Sequence, residues 1–407
     1  MASGTCRADI TSGRADVAAG RSRSQACCGY YSISPNHPVK ILVDYRPALR
    51  ARTGVGEYIH EIVRAYTGAH GDEVALFTSS WRDRPAGGTA ADLRVRVVDR
   101  RVPVRVLNLL WHRAEWPPVE TLAGRADVVH AAHPLLIPAR HAAQVITIHD
   151  LFFLANPGQT HAEIRRDYAA LAPEHARRAD AIVTSTFHGR ALVVERFGVH
   201  PDRVYVCPFG APRWRTLGRA PNVPAGGYFL FVGTLLARKN LGTLLDAYAA
   251  LVHRLPSAPP LVIAGSATPD AAPWLDRLAR EPLRGRVEHR GYVPDREPLY
   301  AGARALIMPS LDEGFGIPAL EAMSAGVPVI ASNRGSLPEV IGPAGTLLEA
   351  MDADAFAAAM ERVASDAAWA EAQGRAGLER AKAFTWRAAA ARLRQAYLDA
   401  IARRRQR

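Results

Sequence analysis

The sequence predicts an α/β protein made of two successive domains, each a parallel sheet with crossover helices. Three observations carry this expectation. Short apolar runs recur along the chain, with helical periods between several of them. One Pro/Gly-rich stretch, Pro208 to Gly227, interrupts the series and reads as an interdomain connection. The length of 407 residues suits two domains of ordinary size, each with its own core.

The elements follow in order. Residues 1–38 are rich in Ser, Ala, Gly and Arg, have no hydrophobic period and are expected to be a disordered extension. They also lack a continuous apolar segment, so no signal peptide is expected. Order begins at Val39–Val43, followed by a loop with Gly54 and Gly56 and by Val55, Ile59, Ile62, Val63 and Tyr66 at helical spacing. Strand-like runs then recur at Val74–Phe77, Asp127–His130, Val145–Ile148, Ala181–Thr184 and Val204–Cys207. They complete a first domain over 39–212, with residues 213–227 as linker. A second domain over 228–391 holds the runs Tyr228–Val232, Leu261–Ala264, Ala305–Met308 and Pro328–Ala331, and residues 392–407 read as a basic tail. In open parallel sheets, ligands bind beyond the carboxyl ends of the strands, so chemistry is sought in the loops that follow them.

Composition excludes several classes. A hydrophobic fraction of 48% with 22% charged residues is that of a globular chain. No run of 18 apolar residues is present, so no membrane-spanning helix is expected. The four cysteines have no metal-site spacing, and a reducing, cytoplasmic setting is the simplest reading. The net charge of +12 invites a polyanionic partner, yet seven of those charges lie in residues 1–38 and 392–407. The Arg403–Arg405 run reads as a solvated end, and no nucleic-acid partner is expected. Residues Arg94 to Trp116 combine six Arg with Val, Leu, Trp111 and Trp116. That patch reads either as a peripheral contact with an anionic membrane surface or as domain packing.

Two segments concentrate the candidate chemistry. In Pro309–Met323 a strand runs into a loop with Gly314, Phe315 and Gly316, then a helix opens at Ile317 and Pro318. Such a helix start offers unpaired N–H groups to an anion. Glu313 and Glu321 flank it, either to accept hydrogen bonds from sugar hydroxyls or as acidic residues favoured by the helix dipole. In Phe231–Leu241 a strand ends at Gly233, and Arg238 and Lys239 stand before a helix with Asn240 as its expected N-cap. Two cations at a helix start are unfavourable unless an anion joins them. Lys239 is moreover one of only three lysines against 48 arginines, which suggests that a compact ammonium is wanted there. In the first domain, His149 and Asp150 end a strand, as a core histidine or as a hydrogen-bonding pair. His130-x-x-His133 follows a strand and is not read as a metal site. Asp352-x-Asp354 is read as a helix cap.

The Glu313-x7-Glu321 segment resembles the signature of retaining GT-B glycosyltransferases of group 1 (family 4), and the resemblance extends over most of residues 39–390. It implies two doubly wound Rossmann-like domains facing across a cleft, with the donor bound mainly by the second. Carried over, Glu313 faces the donor sugar, Glu321 the ribose, the backbone near Gly316 and Ile317 the phosphates, and Arg238 with Lys239 clamps the diphosphate. His149 falls where the family often has a cleft histidine; a role for Asp150 is less defined. Gly54 and Gly56 resemble the N-terminal glycine loop. Phe384-Thr385-Trp386 resembles the C-terminal motif, after which the last helix crosses back to the first domain. The activity implied is metal- and cofactor-independent transfer of a hexose from a nucleoside-diphosphate sugar to a glycan or lipid-linked hydroxyl. The Thr-Gly-Val-Gly-Glu-Tyr, Ile-His-Asp-Leu and Arg-Lys-Asn-Leu segments look most like mannosyltransferases, which points to GDP-mannose. The alternatives are a non-catalytic sugar-nucleotide or glycan-binding protein and a PLP-dependent phosphorylase. The latter needs a Schiff-base lysine from a set of three.

Overall fold

The computed structural model describes residues 38–49, 54–155, 164–214 and 226–407. The expectations for residues 1–37, and for most of the 213–227 linker, lie outside the described residues. From Pro38 to Arg407 the chain forms one compact unit with two parallel sheets.

The first sheet consists of β1 (Lys40–Asp44), β2 (Glu73–Ser79), β3 (Arg96–Arg100), β4 (Val128–Ala131), β5 (Ala143–Thr147), β6 (Ala181–Thr184) and β7 (Val204–Val206). The second consists of β8 (Tyr228–Val232), β9 (Leu261–Ala264), β10 (Val287–Gly291), β11 (Ala303–Met308), β12 (Val329–Ser332) and β13 (Thr346–Leu348). Their orders, β3-β2-β1-β4-β5-β6-β7 and β10-β9-β8-β11-β12-β13, reverse direction at the same point in each half. The switch points are β1/β4 and β8/β11, where a crevice opens above the strand ends.

Central strands are buried on both faces, which is why they read as unbroken apolar runs. Three strands escape the sequence reading, Arg96–Arg100, Val287–Gly291 and Thr346–Leu348, and all three lie at sheet edges. With one side open they need no long apolar run: the first two carry Arg, Asp, Glu and His, and Thr346–Leu348 is only three residues long. The helix Leu241–Arg254 buries the expected stripe of Leu241, Leu244, Leu245, Tyr248, Leu251 and Val252 against the second sheet. Each such side chain contributes roughly 1.5–3 kcal/mol of burial.

The basic tail needs correction. Residues 386–405 form one helix that packs on the Val55–Ala69 helix and on β5 to β7 of the first domain. Leu393, Ala396, Tyr397, Ala400 and Ile401 repeat at helical spacing and are buried. Arg403, expected in solvent, donates to the carbonyls of Asp180 and Asp202 and to the Tyr205 hydroxyl. Arg394 binds Asp72 through Nε at 2.9 Å, and Tyr397 meets His130 Nδ1 at 2.7 Å. The charge thus serves as an adhesive between the chain's end and its first domain.

Candidate functional site

The loops that leave β8 and β11 meet above the switch point of the second sheet. After β8, Gly233 precedes a single helical turn, Ala237–Lys239. A Cβ at Gly265, just beyond β9, would lie 1.9 Å from the Gly233 carbonyl oxygen, so the β8 and β9 loops touch only because Gly265 has no side chain. Asn240 differs from expectation. It adopts a left-handed conformation (φ 55°), and its amide donates to the carbonyls of Pro309 and Ala350 rather than capping the helix. Asn240 is therefore a staple between the β8 and β11 loops, which aligns what comes before and after it.

That alignment assembles a charged cluster. Lys239 Nζ lies 2.5 Å from Glu313 Oε1, which also accepts from Ser310 Oγ at 2.8 Å. Arg238 reaches Glu313 Oε2 at 3.3 Å and the Asp312 carbonyl at 3.1 Å, with its guanidinium over the Phe152 ring. Burial alone would raise the Glu313 pKa, but the Lys239 and Arg238 charges more than offset it and hold the carboxyl below its usual range. Burial lowers Lys239, as does Arg238 beside it, against the pull of Glu313. Two expected roles are thus joined: the clamp and the sugar-facing glutamate are one network.

Glu321 forms a second network. Its Oε1 accepts from Arg296 at 2.8 and 2.7 Å, and its Oε2 from the Tyr300 hydroxyl at 2.7 Å. Burial, then the Glu321 charge, push the Tyr300 phenol well above its usual range and keep it a donor. Arg296 and Tyr300 were not foreseen, although their i, i+4 spacing sets them on one face of a helical turn. Trp214 packs on Tyr300 and donates to the Glu321 carbonyl.

From the first domain come His149 and Asp150, beyond the end of β5. The His149 ring stands edge-on to Tyr58, with centroids 4.8 Å apart, and neither ring nitrogen has a partner. Burial pushes its pKa down to about 4, so the ring is neutral. Asp150 accepts from the Phe152 N–H at 3.1 Å. Gly314 crosses to this side. A Cβ there would lie 2.6 Å from the His149 carbonyl oxygen, and its own carbonyl accepts from Thr186 Oγ1 at 3.3 Å. Phe315 packs on Phe209, and Trp386 on Phe209 and Tyr58. Gly316, at φ 88°, opens the Ile317–Ser324 helix where a Cβ would strike Leu337.

These groups line one cleft of about 630 Å³: His149, Asp150, Gly233, Arg238, Lys239, Glu313 to Ile317, Glu321 and Arg296, with Gly54 at its first-domain rim. The two first-domain glycines separate. Gly54 has a positive φ of 49° and lines the cleft, whereas Gly56 lies against Pro47 and Ala48, where a Cβ would come within 3.0 Å of backbone. His130 and His133 have different partners, Tyr397 and Thr147 for one and Asp44 for the other. Asp352 caps its helix through the Ala355 N–H.

A family model described as glycosyl transferases group 1 matches residues 226–366, and one described as glycosyltransferase family 4 matches residues 52–213. The O-antigen chain mannosyltransferase B of Escherichia coli is 31% identical over 379 residues, spanning 86% of this chain and 96% of that protein. The chain belongs to the group 1, family 4 glycosyltransferases. A glycogen synthase of Mycobacterium tuberculosis is 32% identical over 294 residues, 68% of this glycosyltransferase and 69% of its relative. The GT-B fold agrees with solved structures. Sucrose-phosphate synthase from Thermosynechococcus elongatus superposes with a TM-score of 0.68 at 22% identity, covering 88% of this chain and 97% of that one. WaaG, a lipopolysaccharide-biosynthesis glycosyltransferase, gives 0.63 at 19%, covering 84% and 95%. An Anabaena protein, HepE, in complex with UDP-glucose gives 0.65 at 18%, covering 88% and 98%. This glycosyltransferase therefore carries its charged cluster where two Rossmann-like domains face each other.

Proposed function

We propose that the enzyme transfers mannose from GDP-mannose to a hydroxyl of a growing glycan or lipid-linked acceptor, with retention of anomeric configuration and without a metal or other cofactor. The observation that carries the chemistry is the Glu313–Lys239–Arg238 cluster at the start of the Ile317 helix. When a diphosphate leaves, negative charge grows on its oxygens, and preorganised cations and helix N–H groups lower that barrier. Lys239, Arg238 and the backbone near Gly316 and Ile317 supply such charge from the chain itself. Departure ahead of attack gives an oxocarbenium-like transition state, which the Glu313 carboxylate in the cleft stabilises, while His149 orients the sugar as a neutral group. Of the three lysines, Lys40 and Lys382 pair with surface glutamates, so the cleft offers only Lys239, already engaged by Glu313.

Support for mannose is the name of the E. coli relative that is 31% identical over 86% of this chain. Serotype-specific mannosyltransferase WbdA of E. coli, 30% identical over 224 residues, adds to it. The decisive experiment incubates the enzyme with GDP-mannose, UDP-glucose and ADP-glucose, follows thermal shift and acceptor-free hydrolysis, and repeats both in EDTA. Preference for GDP-mannose with EDTA-insensitive turnover supports the reading; preference for a glucose donor overturns the sugar assignment. NMR of the released or transferred sugar reads the anomeric outcome.

For the membrane-borne acceptor, the Val104–Ala114 helix supplies the argument, with one correction. Trp111 is buried against Phe77 and beneath Arg46, so it is core. Val106 and Leu109 (57% exposed) on this helix, and Trp116 (60%) just beyond it, are instead exposed, with Arg105 and Arg113 close by in sequence. Flotation with anionic vesicles, lost in Leu109→Glu with Trp116→Ala, tests this contact; binding equal on neutral vesicles would count against it.

A further inference from the structure

Ser185 lies just beyond β6, beside the strand that leads to His149. The register of β5 and β6 pairs Val145 with Ala181, Ile146 with Ile182 and Thr147 with Val183. The Ile148 N–H continues this ladder to the Val183 carbonyl at 2.8 Å, and extending the register two residues beyond the Thr147–Val183 pair brings His149 level with Ser185. Both line the cleft. Ser185 is 2% exposed, and its Oγ, like both His149 ring nitrogens, has no hydrogen-bond partner.

Buried polar atoms are nearly always paired, and each exception calls for a cause. A structural duty at this turn is already taken by the next residue. Thr186 Oγ1 accepts from the Gly189 N–H, capping the Phe187–Phe197 helix, and donates to the Gly314 carbonyl. That second bond ties the Ser185–Thr186 turn to the loop that carries Glu313, so the unpaired hydroxyl sits next to a contact between the two domains and lines the same cleft as the charged cluster. A neutral imidazole offers one donor and one acceptor, and a serine hydroxyl offers both. Together they match a group that donates and accepts within the same small space.

We propose that Ser185, acting with His149, holds one sugar hydroxyl at the reacting centre and so helps decide which sugar is accepted. The inference rests on the cleft's reading as the donor site. Two sugars meet there, the transferred hexose and the acceptor, and either can supply that hydroxyl.

The test compares wild type with Ser185→Ala. Without ligand, removing an unpaired hydroxyl leaves the melting temperature unchanged or raised, whereas loss of a structural hydrogen bond lowers it. Affinities are then measured for GDP and GDP-mannose, and for UDP and UDP-glucose, in both proteins. If the hydroxyl belongs to the transferred sugar, Ser185→Ala loses about five- to tenfold in affinity for the sugar nucleotide and in acceptor-free hydrolysis, with the bare diphosphate unaffected. If it belongs to the acceptor, donor binding and hydrolysis stay intact and only transfer falls by that factor. A lowered melting temperature, or unchanged binding, hydrolysis and transfer, overturns the proposal. If wild type binds no sugar nucleotide differently from its diphosphate, the donor-site reading fails and takes this proposal with it.

Discussion

The two halves of the cleft solve opposite problems. On the second-domain side the buried carboxylates are already paired: Glu313 with Lys239, Arg238 and Ser310, Glu321 with Arg296 and Tyr300. On the first-domain side His149 and Ser185 present neutral polar atoms with no partner at all. A charged diphosphate must be met by charges held in place beforehand, because reorganising them during reaction would cost the rate they are meant to supply. A sugar hydroxyl is weakly polar, and desolvated neutral groups discriminate it well, since a wrong ligand leaves them unpaired. On the function proposed above, the contrast would give the diphosphate to the paired charges of the second domain and a sugar hydroxyl to the neutral groups of the first.

The largest expected effect tests the paired half. Lys239→Ala removes the cation nearest Glu313 and leaves that buried carboxylate with Arg238 as its one remaining cation and the Ser310 hydroxyl. Transfer should fall by about 10²–10³-fold, and unfolding should cost about 3 kcal/mol less in denaturant titrations. Loss below tenfold would mean that Arg238 and the helix start suffice for the leaving group. Next comes the seam. Gly314→Ala places a methyl 2.6 Å from the His149 carbonyl oxygen and must push the two halves apart. A displacement of an ångström at a reacting centre lowers kcat by about 10–100-fold, with bare nucleotide affinity preserved.

The neutral half predicts a pH dependence. Burial pushes His130 down to about 3, and His149 down to about 4. The unfolded chain takes these protons near pH 6.5 while the native state refuses them. Stability is therefore full above pH 6.5 and drains as pH falls from there towards 3, by about 2–3 kcal/mol at pH 4.5 for His130 alone. His130→Gln should flatten that slope in denaturation series between pH 7 and 4.5. An equal slope would mean that His130 is protonated in the native protein. The smallest effect concerns closure. Glu339, from the second domain, accepts the Phe187 and His188 N–H groups at 2.9 Å and so caps a first-domain helix. Glu339→Ala should weaken closure by about 1 kcal/mol, read as a several-fold rise in donor KM and a larger radius of gyration in solution scattering.

Much of this was legible in the chain. Central strands announce themselves because both faces are buried, and Tyr228–Val232, Leu261–Ala264 and Ala181–Thr184 fall where the apolar runs lie. Arg238 and Lys239 were legible because two cations before a helix start call for an anion, whereas Glu313 and Glu321 had two local readings and were singled out by the family resemblance. Arg296, Tyr300, Ser185 and Glu339 were not, since nothing local distinguishes an arginine on a surface turn from one holding a buried glutamate. The terminal arginines misled for the same reason. The partners of Arg403, for example, are Asp180, Asp202 and Tyr205, about two hundred residues earlier.

By itself, then, the order of residues determined which segments become strands, where the glycines and helix starts fall, and which loops carry charge. Those properties depend on neighbours within a few positions. Only the tertiary structure decided which charges meet, which end of the chain closes the first domain, and which hydroxyl is left without a partner. These are settled by contacts between segments far apart in sequence, where burial turns a modest pairing preference into a requirement.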